Sequence, residues 1–254
     1  MFSPERAAHY RAQLEAFEAS QGGPLQGALK QKPHLLLTWL DELVRDEAVL
    51  DAIEGTIGPN ILCWASGFFT KEANDPGYVS WHQDLTYWGL DPADIVTAWI
   101  ALSPSTPESG CMRVIPGSHR QDVITHTDTF SENNMLSRGQ EIDVEVDEAE
   151  AVDLVLQPGE MSLHHVKLIH GSGPNRANDR RIGYAIRYVP TYVRQTAGAE
   201  DSAMLVRGRD DHHHFLEETP PRADMDADAV AQHAAVTARA AQILYRGTDR
   251  QTFR

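Results

Sequence analysis

Four side chains carry most of the chemical potential of this sequence: His82, Asp84, His170 and Arg181. The first two lie in Ser80-Trp81-His82-Gln83-Asp84-Leu85-Thr86-Tyr87-Trp88, a stretch rich in aromatic residues that reads as a strand. Residues two apart on a strand share a face, so His82 and Asp84 are expected to aim at one point. Alone, such a pair fits an exposed strand better than a metal site. His170 ends a later strand, Met161 to Ile169, and Arg181 opens the next, eleven residues further on. Two imidazoles and a carboxylate make the facial set that holds non-haem Fe(II) and leaves positions open for oxygen chemistry. A guanidinium fork matches a carboxylate in two parallel bonds, so Arg181 is expected to clamp the distal carboxylate of a bidentate 2-oxo acid.

Elements that position these residues are legible along the chain. Ser3-Pro4 opens a helix that runs to about Ser20, with Ser3 as cap and Pro4 in the first helical position. His34 to Val44 reads as a second helix, with Leu36, Trp39, Leu40 and Leu43 at helical spacing, and a short third carries Val49, Ile53 and Ile57. After Gly58-Pro59-Asn60 come short strands: Ile61 to Thr70, the His82 stretch, Ile95 to Leu102, Cys111 to Pro116, alternating runs within Glu141 to Leu156, Met161 to Ile169 and Arg181 to Val189. Thr125 to Gln140 is polar and has no period, a length of loop often tied to function. Asp226 to Tyr245 is a final Ala-rich helix. The expected fold is mainly β with flanking helices, a β sandwich or jelly roll. One domain over 1–254 is expected: a helical flank (1–57), a jelly-roll core (58–192) and an extension with a helix (193–254).

Composition excludes several classes. The formal charge of −15 disfavours nucleic acid, whose phosphates need a basic surface. No apolar run reaches the ~20 residues that span a bilayer. Met1 to Arg6 has neither a basic nor an apolar signal region, so no secretory leader is expected. Cys63 and Cys111 sit in apolar surroundings and are expected to be free, buried thiols, as suits the cytoplasm.

Four stretches then carry a resemblance: Trp81-His82-Gln83-Asp84-Leu85, Thr97-Ala98-Trp99-Ile100-Ala101-Leu102, Gly110-Cys111-Met112-Arg113-Val114-Ile115-Pro116-Gly117-Ser118-His119 and His170-Gly171-Ser172-Gly173-Pro174-Asn175. In this order, with Arg181 following, they resemble the phytanoyl-CoA dioxygenase family of Fe(II)- and 2-oxoglutarate-dependent oxygenases, from about Gly58 to Val189. The resemblance implies a cupin-like double-stranded β-helix. It implies that 2-oxoglutarate, O2 and a small-molecule substrate react with release of succinate and CO2. By matching position it implies iron ligation by His82, Asp84 and His170, 2-oxoglutarate binding by Arg181 with Ser172 nearby, and a cofactor pocket lined by Trp99. Some relatives that halogenate have a small residue in place of the carboxylate, so Asp84 favours hydroxylation.

Other residues fall around this set. Lys71 occupies a position where some relatives also carry Lys and is a candidate substrate contact. Tyr87 and Trp88 follow the His-x-Asp pair, and Arg187 shares a strand face with Arg181; these three complete the candidate substrate set. Arg180 points away from Arg181 and is expected to be exposed. His165 reads as a packed neighbour of the centre, His119 as a turn residue, and His212-His213-His214 as a solvated loop. No membrane or nucleic-acid partner is expected, and the chain is expected to be a monomer or small homo-oligomer. Rival readings are a non-catalytic cupin-like metal- or ligand-binding protein, an oxygenase of an acyl-CoA, which the net acidity disfavours, and a zinc hydrolase, which leaves Arg181 and Ser172 without a role.

Overall fold

Helix-forming runs at the ends of the chain and strand-forming runs in its middle set the architecture of the computed structural model, which describes residues 2–198, 200–250 and 253. In order come α1 (Pro4–Gln21), α2 (Thr38–Val44), α3 (Glu47–Ile57), β1 (Ile61–Lys71), β2 (Val79–His82), β3 (Leu90–Asp91), β4 (Val96–Ala101), β5 (Met112–Val114), β6 (His126–Asp128) and β7 (Gln140–Ile142). They are followed by β8 (Val152–Asp153), β9 (Met161–His165), β10 (His170–Ser172), β11 (Arg181–Pro190), β12 (Arg194–Gln195), β13 (Ser202–Arg207), β14 (Leu216–Glu217) and α4 (Ala227–Leu244).

Capping sets the helix starts. The Ser3 hydroxyl accepts from Arg6 N (3.2 Å), the Asp46 carboxylate from Ala48 N and Val49 N, and the Asp226 carboxylate from Asp228 N and Ala229 N. The helix expected over His34 to Val44 is shorter. Pro33–Leu35 forms a 3-10 turn, Leu37 is extended, and α2 begins only at Thr38. The cause is distant in sequence: the Asp224 carboxylate takes both the Thr38 N–H and its hydroxyl, each at 2.7 Å, and so fixes a helix start there.

A six-stranded sheet has the order β14-β13-β1-β11-β4-β9, and a four-stranded sheet the order β2-β10-β5-β8. Two further pairings join β12 to β3 and β6 to β7. Apart from β13 and β14, neighbours in both large sheets are far apart in sequence, which is the crossing pattern of the double-stranded β-helix, or jelly roll. Its strands are short except β1 and β11, and β11 is buried nearly throughout, as a central strand should be. Beyond Tyr192, where sequence marks only the last helix, β12, β13 and β14 also join sheets. The polar stretch from 125 to 140 is ordered too: β6 and β7 pair antiparallel, His126 opposite Ile142 and Asp128 opposite Gln140.

The chain forms two compact units. One comprises Met1–Phe17, Phe68–Thr86 and Trp99–Tyr184, and contains the whole four-stranded sheet. The other comprises Glu18–Gly67, Tyr87–Ala98 and Ala185–Arg254. In this second unit Leu40, Leu43, Val44, Val49 and Ile53 are fully buried, and the Tyr188 hydroxyl donates to the Val44 carbonyl (2.9 Å). A buried ion pair, Lys32 Nζ to Glu218 Oε1 (2.5 Å), ties its N-terminal part to its tail. Lys32 also donates to the Ser202 carbonyl and Ser202 Oγ to Glu218. Burial pushes the Glu218 carboxyl above its ordinary range. Cys63 and Cys111 are free and buried. Among the described residues, no helix is long and apolar enough to cross a membrane.

Candidate metal centre and anion site

The strand that carries His82 ends there. Asp84–Tyr87 is a 3-10 turn, so the expected strand over Ser80 to Trp88 is corrected: Asp84 does not reach His82 by strand alternation. A contact from far along the chain bends it. The Val166 carbonyl accepts from both Asp84 N (3.1 Å) and Leu85 N (3.3 Å). This turn brings Asp84 Oδ1 to 3.3 Å from His82 Nε2. His170 comes from β10, which pairs antiparallel with β2 so that His170 and His82 stand directly opposite, ring centroids 4.1 Å apart. The ligand atoms of His82, Asp84 and His170 all lie within 4.8 Å of one another.

Both imidazoles are prepared for a metal. His82 Nδ1 faces the Ser80 carbonyl at 2.9 Å and His170 Nδ1 faces the Leu168 carbonyl at 2.9 Å. A carbonyl only accepts, so each Nδ1 carries its proton, which leaves Nε2 as the atom that can face a cation. Burial, helped by the neighbouring His82 ring, holds His170 at about 3, so it is neutral near pH 7. Gln83, between the two candidate ligands, is fully buried and turned to other partners. Its Oε1 accepts from Ile124 N (2.8 Å), its Nε2 donates to the Lys167 carbonyl (2.8 Å), and its backbone N–H donates to His126 Nε2 (3.0 Å). Sequence reasoning gave Gln83 no role; the one signal was an uncharged amide held between two candidate ligands.

The same unit holds two buried cations. Arg181, 2% exposed, donates from Nη1 to the Gly110 carbonyl (2.6 Å), and its guanidinium lies 5.3 Å from the Trp99 ring centre. Its Nε has no hydrogen-bond partner. Lys71, the last residue of β1, is 0% exposed and donates to Ser172 Oγ (2.7 Å) and to the Gly173 carbonyl. Lys71, Ser172, Arg181 and Trp99 therefore belong to one polar cluster, and Lys71 is not at the surface. Burial first, then the Arg181 charge, pushes Lys71 down to about 7, and burial pushes Arg181 to about 10. Among the described residues no carboxylate pairs with either; Asp75 acts on both only through space. Buried charges are ordinarily paired, and these two basic groups have no carboxylate partner among the described residues.

Two glycines permit this packing. A Cβ on Gly183 would lie 1.8 Å from Trp99 Cζ2, and one on Gly110 would meet the Gly173 carbonyl at 2.4 Å. Asn175, 1% exposed, pins the loop after β10 by donating to the Lys71, Glu72 and Asp179 carbonyls.

Tyr87, Trp88 and Arg187 belong to the second unit, where the Arg187 guanidinium is 5.9 Å from the Trp88 ring centre and Trp88 packs on Trp64 at 4.9 Å. Arg180 is not exposed as expected: its side chain is 13% exposed and pairs with Glu72 at 2.8 Å. His165 packs against His119 at 5.7 Å, and the more deeply buried His164 lies 5.0 Å from His170.

A jelly roll that brings two histidines and a carboxylate together, with two buried basic side chains in the same unit, is the arrangement to be compared with known metal-dependent proteins. Comparison with known proteins narrows the class. The family model described as phytanoyl-CoA dioxygenase (PhyH) matches residues 4–183, and the chain belongs to that family. It is 35% identical over 162 residues to a probable alpha-ketoglutarate-dependent hypophosphite dioxygenase of Stutzerimonas stutzeri, a match covering 61% of this chain and 56% of that protein. The chain thus spans little more than half the length of that curated relative. Among solved structures it is similar to the non-heme monooxygenase ThoJ in its apo form (35% identity, TM-score 0.83, 93% of this chain and 88% of the other). It is also similar to CytC3 with Fe(II) and alpha-ketoglutarate (26% identity, TM-score 0.64, 88% of each).

Proposed function

We propose that this chain is an Fe(II)- and 2-oxoglutarate-dependent dioxygenase that hydroxylates a C–H bond of a small molecule. The observation that carries the reading is the pair of buried cations without carboxylate partners, Lys71 and Arg181, in the same unit as the His82–Asp84–His170 cluster. A metal-binding protein with no organic acid to hold has no use for that pair.

The residues fit the groups they would hold. His82 and His170 present Nε2, and Asp84 presents a carboxylate oxygen, a donor set suited to Fe(II). Arg181 and Lys71 would take the far carboxylate of 2-oxoglutarate, with Arg181 Nε gaining a partner and Ser172 donating its hydroxyl nearby. Trp99 supports the guanidinium from one side. Bound iron supplies the coupling of 2-oxoglutarate decarboxylation, to succinate and CO2, with oxidation of the substrate by O2. The chain's own part is to orient the three ligands, keep His170 neutral and keep water from the buried cations. Asp84 fills the carboxylate position, which favours hydroxylation over halogenation.

A small polar or zwitterionic substrate suits the net charge of −15 better than an acyl-CoA or a nucleic acid. Free thiols at Cys63 and Cys111 support a cytoplasmic site of action without a membrane partner. The chain would act as a monomer or small homo-oligomer. The test is anaerobic loading with Fe(II) and 2-oxoglutarate, then exposure to O2 with candidate substrates and measurement of succinate. Iron binding with no succinate under any condition would leave a binding protein in place of the enzyme.

A further inference from the structure

His82 sits on the weakest kind of strand. β2 has four residues and, among the described residues, lies at the edge of its sheet with β10 as its one strand neighbour there. An edge strand has one side of its backbone unsatisfied by the sheet. Just before β2, Tyr78 pairs with the polar stretch before β7: Tyr78 N donates to the Asn133 carbonyl (2.9 Å), and Met135 N to the Tyr78 carbonyl (2.8 Å).

Between these two contacts lies Asn134, 4% exposed. Its Nδ2 donates to Ser80 Oγ (2.8 Å) and its Oδ1 accepts from Leu136 N (3.2 Å). The Ser80 hydroxyl, itself 8% exposed, donates onward to the Gln140 carbonyl (2.6 Å). Ser80 is also the residue whose carbonyl accepts the Nδ1 proton of His82. A continuous buried polar chain therefore runs from Asn134 through Ser80 to a candidate ligand.

We infer that Asn134, acting through Ser80, is a positioning residue that fixes the ring of His82 for the metal. The inference rests on His82 being a metal ligand. Removing Asn134 frees Ser80 to shift, and with it the carbonyl that sets the tautomer and the rotation of the imidazole. Partners of ligand histidines are worth roughly ten- to a hundredfold in metal affinity, and Asn134 acts one bond further out, so its loss should cost about tenfold.

The experiment titrates Co(II), as a spectroscopic substitute for Fe(II), into the full chain and its variants, and measures thermal unfolding in parallel. Asn134→Ala should weaken Co(II) binding about tenfold and alter the visible band, which reports ligand geometry. Ser80→Ala should do the same, and Ser80→Thr, which keeps the hydroxyl, should restore binding. Thr127→Ala removes a hydrogen bond to Asp143 from the same β6–β7 pair without touching Ser80, and should leave Co(II) affinity unchanged. Wild-type affinity in Asn134→Ala, or an equal loss in Thr127→Ala, would overturn the inference. If Asn134→Ala does not fold, Asn134→Ser, which keeps an acceptor for Leu136 N but no amide donor to Ser80, takes its place. Absence of Co(II) binding by the wild type would instead defeat the metal site itself, and the inference with it.

Discussion

Replacing Lys71 by Met removes an ammonium and keeps an unbranched side chain of similar length. In the ligand-free protein the ammonium is held down from 10.5 to about 7, which amounts to roughly 5 kcal/mol against its charged form. Between those two pH values the unfolded chain binds the proton and the folded chain does not. Stability of the ligand-free protein therefore rises with pH through this window, and the cost is fully present below pH 7. A carboxylate placed against Lys71 reverses the balance and raises its pKa. Binding of 2-oxoglutarate above pH 7 must then draw in a proton, and affinity should fall by up to about tenfold per pH unit until the pKa of the complex is reached. Met also leaves Ser172 Oγ and the Gly173 carbonyl without this donor, at about 1–3 kcal/mol each. The slope of affinity against pH is therefore the cleaner readout than stability. Calorimetric titration of 2-oxoglutarate into the metal-loaded protein from about pH 6 to about pH 9, in buffers of different ionisation heat, measures slope and proton uptake together. Lys71→Met should bind more weakly near pH 7 by roughly 2–5 kcal/mol and lose the slope. A wild type whose affinity is flat across that range, or a variant with the wild-type slope, would refute the assignment.

Other outcomes follow from the same contacts. Gly183→Ala forces a methyl into Trp99 and should lower stability by about 1–3 kcal/mol in urea titration, weakening 2-oxoglutarate binding as the Arg181 support shifts; an unchanged midpoint would contradict the packing. Arg181→Ala should weaken 2-oxoglutarate binding strongly while metal affinity survives, and equal 2-oxoglutarate affinity would remove Arg181 from the clamp. Asp84→Ala should abolish hydroxylation, and retained wild-type turnover would take Asp84 out of the ligand set. Lys32→Met strands Glu218 in the second unit without its cation and should destabilise by roughly 3–5 kcal/mol, most of it recovered when Glu218 is also made apolar.

The candidate site was legible in residue types and order, less so in geometry. His82, Asp84 and His170 stand out because two imidazoles and a carboxylate are the set that a borderline divalent metal such as Fe(II) takes. The turn that delivers Asp84 is set by Val166, some eighty positions away, and no local propensity of Leu85 or Thr86 announces it. The same holds for α2, whose start is dictated by Asp224. Lys71 illustrates a different limit. A lysine closing an apolar run reads as easily as a surface residue, and only the arrival of Ser172 and Gly173 from another strand buries it. Ser202 to Arg207 has the composition of a strand, but the sheet that receives it is decided by pairing with β1. Elements whose fate depends on nearest neighbours, such as α1 with its Ser3 cap, could be placed closely.

The direct pairing of His82 with His170 has a consequence for the order of events during folding. The two residues are 88 positions apart, and joining them closes a long loop before any contact there repays the lost entropy. An unfolded chain offers no preformed set of three ligands, so under the proposed function metal affinity is expected to arrive with the assembled sheet. A metal that binds the native chain better than the unfolded one then stabilises it by mass action.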